Sequence, residues 1–197
     1  MTAHPVQLIV ERSTLVPRAQ VLTRLILAVA VTTLGISSLL WLLYLEVPVF
    51  VALAIRHKGR EHYLSAAGPR LVSGLRWLAG AFAYLCLLTE ALPSTGPGPV
   101  DLRVEIGSAA TPGAALARLF LALPALLLVA ALACGATFAW LFAVAWALIT
   151  GRVPGLFADF FEVLVRTEMR LCAYHLCLVD RYPSLEETSP EPALGVG

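Results

Sequence analysis

Charge vanishes from this chain in two long stretches. Residues 119–149 carry no charged side chain, and neither do residues 25–45. At about 1.5 Å per residue the longer run reaches roughly 46 Å, more than the ~30 Å hydrocarbon core of a bilayer. Both runs predict spanning helices. Prolines punctuate them, because a proline inside a helical pattern kinks or ends the helix just before it. Pro124 separates a short interfacial helix over 114–123 from a spanning helix over 124–149. Pro17 opens the first run, and Glu46-Val47-Pro48 interrupts it late, near the interfacial aromatics Trp41 and Tyr44.

Two later segments follow a mixed pattern. Residues 71–89 contain a single charge, Arg76, and are long enough to cross. Over 156–180, steps of about 100° put Asp159, Glu162, Arg166, Arg170, Ala173 and Cys177 on one stripe, with apolar residues around most of the rest. Glu162 and Arg166 stand in the favourable order for a helix salt bridge. Such a helix lies in the interface or crosses with its polar stripe against a partner. Alternation at Val6, Leu8 and Val10, and again at Val100, Leu102 and Val104, predicts two short strands that can pair at the membrane surface.

These elements recur. Pro5-Val6-Gln7-Leu8-Ile9-Val10-Glu11 returns as Pro99-Val100-Asp101-Leu102-Arg103-Val104-Glu105. Arg24-Leu25 returns as Arg118-Leu119 ahead of the second apolar run. Arg76, Ala83-Tyr84, Glu90 and Pro93 return as Arg166, Ala173-Tyr174, Asp180 and Pro183. The expected fold is therefore an all-α integral membrane protein of two tandem repeats. Each repeat has a long transmembrane helix, an amphipathic or second spanning helix, and a short surface strand. The boundaries are 1–94 for the first repeat, 95–184 for the second, and 185–197 for a disordered tail.

Composition points the same way. The chain is 59% hydrophobic and 14% charged, where a soluble domain carries about 25% charged residues. Net charge is +1, with no basic stripe for nucleic acid. No cleavable signal peptide is expected, since the first apolar run is long and lacks a small-residue cleavage site. Cys86, Cys134, Cys172 and Cys177 show no metal spacing, and His57 and His62 lie among cations; neither a metal nor a cofactor is expected.

Three groups of residues are candidates for function. The repeated polar set Arg76, Tyr84, Arg166, Tyr174 and Asp180, with Arg152 at the Gly-Arg turn, is the binding candidate, because an arginine in a membrane helix needs a partner. Glu162 is the expected partner of Arg166, and Glu46 that of Arg76. Arg56, Lys58 and Arg60 follow the first run and suit anionic lipid headgroups. Ala131, Gly135, Ala139, Ala143 and Ala147 form a row of small side chains that lets helix backbones approach closely in lipid.

No phosphate-binding loop, nucleophile elbow, zinc-protease or dinucleotide signature occurs. The expected role is non-enzymatic: an accessory or scaffold protein in the bilayer, packing against a membrane-protein partner or a second copy of itself. The alternative is a carrier or channel for a small or lipidic anion, with Arg76 and Arg166 facing each other.

The stretch Leu148-Ile149-Thr150-Gly151-Arg152-Val153-Pro154-Gly155-Leu156-Phe157, with Val163-Leu164-Val165-Arg166, Ala173-Tyr174 and Asp180-Arg181-Tyr182-Pro183, resembles the bacterial membrane family catalogued as domain of unknown function 4389. Leu121-Ala122-Leu123-Pro124 is similar to a motif common before that family's span. The resemblance covers 99–183 well and 5–93 as a degraded copy. It departs at Arg56-His57-Lys58-Gly59-Arg60, at Glu90-Ala91-Leu92-Pro93, and at Thr167, where the family tends to carry an aromatic. It implies a helical protein of the bacterial inner membrane and no assigned activity; the two long apolar runs make the expected placement multi-pass.

Overall fold

A computed structural model describes residues 4–13, 15–33, 36–96 and 98–183, with the backbone alone at 32 and 36–44. The expected tail, 185–197, and the side chains of Trp41 and Tyr44 lie outside the described residues.

The two alternating segments are strands β1 (Val6–Val10) and β2 (Val100–Val104), paired antiparallel with Leu8 opposite Leu102. Their period of two turns Val6, Leu8, Val100 and Leu102 inward and leaves Gln7 and Arg103 exposed. Between the strands run α1 (Arg18–Thr33), α2 (Ile36–Lys58), a single turn α3 (Arg60–His62) continued by π-helical Tyr63–Ala67, and α4 (Gly68–Leu85). After β2 come α5 (Pro112–Leu121), α6 (Leu123–Thr150) and α7 (Gly155–His175).

Local chemistry explains several boundaries. Thr111 caps α5 by accepting a hydrogen bond from the Ala114 amide at 3.2 Å, and Pro112 occupies its first turn. Pro124 stands in the first turn of α6, and Gly151 ends that helix in the left-handed region at φ 73°.

The expected all-α architecture of two multi-span repeats is overturned. Among the described residues only α6 is long and apolar enough to cross a membrane, and a two-stranded sheet accompanies the helices. Of the uncharged run at 25–45, residues 25–33 lie in α1 and residues 36–45 in α2. At 16 residues, α1 is shorter than the ~20 needed to span, and it buries Arg24. Pro48 sits inside α2 without ending it. A multi-pass inner-membrane placement loses its support with those spans.

The main core lies where α4 and α7 pack against each other and against the sheet. Leu75, Ala79 and Ala83 of α4 meet Phe161, Val165 and Met169 of α7, with Val6, Leu8 and Leu102 from the strands. A second cluster joins Val51, Ala52 and Ile55 of α2 to Ala115 of α5. A third joins Ala122, Ala125 and Val129 to Leu171 and Tyr174. α6 remains largely uncovered: 22% of its most apolar stretch is buried.

Candidate functional site

The strongest polar cluster forms where α7 ends. Leu178 N–H donates to Ala173 O and Cys177 N–H to Tyr174 O, with Cys177 left-handed at φ 53°. This is a Schellman closure. Cys177 holds the left-handed position although it is not a glycine, a conformation that surrounding packing must impose.

Arg118, from α5, completes the closure. It is 5% exposed. Its Nη1 donates to Tyr174 O at 2.7 Å and to Val179 O at 2.8 Å, and its Nη2 reaches Asp180 Oδ1 at 2.5 Å. The guanidinium carbon lies 4.5 Å from the centre of the Tyr174 ring. A cation here meets the negative end of the α7 dipole, the open carbonyls and the face of an aromatic ring at once. Asp180 also accepts from Ser108 Oγ at 2.6 Å and from the Ala109 amide at 2.7 Å. Burial alone pushes the Asp180 carboxyl up, but these bonds and Arg118 outweigh it and hold the group below the usual carboxylate range.

A related cluster closes α4. Leu88 N–H donates to Ala83 O and Leu87 N–H to Tyr84 O, with Leu87 at φ 62°. Arg24, wholly buried, donates from Nη2 to Thr89 O at 2.8 Å and stacks 4.2 Å from the centre of the Tyr84 ring. The acid differs. Glu90 accepts from Ser13 Oγ at 2.8 Å, and Arg24 Nε and Nη1 have no hydrogen-bond acceptor among the described residues. Burial therefore lowers the Arg24 pKa, against opposing contributions from Tyr84 and Glu90.

The remaining candidates are dispersed. Arg76 lies on α4 and turns to β2, donating to Thr95 O and Leu102 O at 3.2 Å each, with Asp101 at 3.5 Å. Its carboxylate is thus Asp101, and the expected partner Glu46 is exposed on α2. Arg166 does pair with Glu162, whose other oxygen meets Arg12; Arg12 also reaches Asp159 at 2.5 Å. Tyr84 goes to Arg24 and not to Arg76. Arg152 is exposed, its backbone bonded to Thr150 Oγ1. Arg56, Lys58 and Arg60 are exposed at the end of α2.

Within the row of small residues, Ala143 and Ala147 are buried in the chain's own core and Ala139 is half-buried, while Ala131 and Gly135 are exposed. No group of His, Cys, Asp and Glu suited to a metal occurs among the described residues.

Arg118 and Arg24 hold the centre of the two clusters, and sequence reasoning did not select them as site residues. The available signal was their matched position ahead of the two apolar runs.

Residues 112–185 match the family model described as domain of unknown function (DUF4389). This part of the chain is similar to that family, and it contains Arg118, Tyr174 and Asp180 together with α6. No curated protein and no solved structure matches the chain.

Proposed function

We propose that this is a non-enzymatic, membrane-associated accessory or scaffold protein anchored through α6. The observation that carries the reading is the surface of that helix. Its 28 residues include no charge, and Leu127, Phe138, Leu141, Phe142, Trp146 and Ile149 all face outward. Contiguous apolar surface on this scale marks a membrane or protein contact. The arginines at the helix ends support a structural role, because their donors serve the chain's own carbonyls and carboxylates.

Extraction of native membranes tests the anchor. The chain should stay with the bilayer through alkaline carbonate and leave only with detergent. Full release by carbonate would overturn the proposal. Cross-linking in mild detergent then tests the accessory role: a defined membrane-protein partner or second copy is expected, and a strictly monomeric chain would remove that part.

A further inference from the structure

We infer that the C-terminal end of α2 and the turn after it form a docking surface for anionic lipid headgroups. This rests on the membrane association proposed above and adds the chemistry of the leaflet it meets. α2 closes with Arg56, His57 and Lys58; Gly59 turns the chain at φ 81°; Arg60 and His62 follow. All six residues are exposed. Over the surface, from Leu45 to His62, the acidic residues are Glu46, one turn ahead of Val49 and Phe50, and Glu61, both exposed. None of Arg56, Lys58 and Arg60 makes a hydrogen bond or ion pair among the described residues, in contrast to Arg12, Arg24, Arg76 and Arg118, which are all engaged.

The helix upstream supplies the second half of the surface. Leu45, Val49, Phe50 and Leu53 are exposed on α2, whereas Val51, Ala52 and Ile55 are seated against α5. One face of α2 is thus fixed to the body of the protein. Past the exposed Glu46, its free face runs from the apolar Val49, Phe50 and Leu53 into a cluster of cations. That order suits a lipid, whose acyl chain and phosphate follow one another along the bilayer normal. A soluble phosphate would use the cations and leave the apolar face in water.

The test reconstitutes the full chain into phosphatidylcholine vesicles with a minor share of phosphatidylglycerol, extracts it in mild detergent, and measures which lipid stays bound. The wild type should retain phosphatidylglycerol preferentially. Each cation near an anionic surface contributes roughly a fivefold preference, so Arg56→Gln/Lys58→Gln/Arg60→Gln should reduce it on the order of 100-fold. An unchanged thermal midpoint would verify that this variant is folded. Arg103→Gln, a charge loss on the sheet, should leave the preference intact. Equal retention of both lipids by the wild type, with normal insertion, would overturn this inference alone. Failure to insert into any vesicle would overturn the membrane reading beneath it. Displacement of the bound lipid by inorganic phosphate at constant ionic strength would reassign the cations to a soluble anion.

Discussion

Arg118 binds Tyr174 twice, by a 2.7 Å hydrogen bond to its carbonyl and by a 4.5 Å stack on its ring. One side chain of α5 thereby holds the end of α7 through both backbone and side chain. Replacing Arg118 with alanine leaves Tyr174 O and Val179 O without this donor and strips Asp180 of its cation. The Asp180 carboxylate is half exposed, so the cost lies mainly in the lost hydrogen bonds from a charged donor to buried carbonyls, about 1.5–3 kcal/mol each. Arg118→Ala should lose roughly 3 kcal/mol, read as a clear drop in thermal midpoint in detergent.

Arg24 gives the opposite case. It is as deeply buried, yet two of its three nitrogens lack acceptors among the described residues. An uncompensated buried charge is expensive, and an apolar residue of similar length removes that penalty. Arg24→Met should change stability by no more than about 1 kcal/mol, where Arg118→Met costs several times as much. Equal losses in the two variants would refute the distinction.

Acid should loosen the fold through two histidines. Burial, with Arg118 nearby, lowers His175 to about 4. Burial, with Arg170 and Arg181, lowers His4 to about 4. Both are neutral in the folded chain, while the unfolded chain takes up protons below about 6.5. Their contribution is full above 6.5 and falls as pH drops toward 4. Urea midpoints between pH 7 and pH 4 should decline, and His175→Gln should flatten that decline.

Glu168 works in the other direction. Burial raises its carboxyl to about 7, and it makes no hydrogen bond or ion pair among the described residues. The folded state prefers the protonated form, so the Glu168 contribution is full below about 4.5 and is lost as pH rises through 7, partly offsetting the two histidines. Glu168→Gln should be more stable than wild type at pH 8, by up to about 2–3 kcal/mol, and nearly equal to it at pH 4. A wild type unaffected by the substitution at pH 8 would contradict this.

Parts of this architecture were legible because each carries its own local signature. Alternating valines and leucines announced β1 and β2. Pro124 and Gly151 bracket α6 in sequence much as they do in space. Arg118 was harder to recognise. Its acceptors are mostly backbone carbonyls, which every residue has, so no residue type marks them. The left-handed Leu87 and Cys177 were invisible for a similar reason, since no glycine flags either turn. A similar distance from the intervening turn also misdirected Arg76 to Glu46, because it cannot foresee a strand returning with Asp101. Pro48, which should have broken a helix, lies within one.

Cys134 provides the most direct measurement of the central claim, that α6 lies in lipid. It is exposed roughly 17 Å along the helix. Burial pushes the thiols of Cys86 and Cys172 up to about 12 and raises that of Cys177, which keeps all three unreactive. In native membrane fragments accessible from both sides, Cys134 should resist a charged maleimide and react with an uncharged, lipid-soluble one. Rapid modification by the charged reagent, at the rate seen in detergent-free unfolded chain, would put α6 in water and contradict the account.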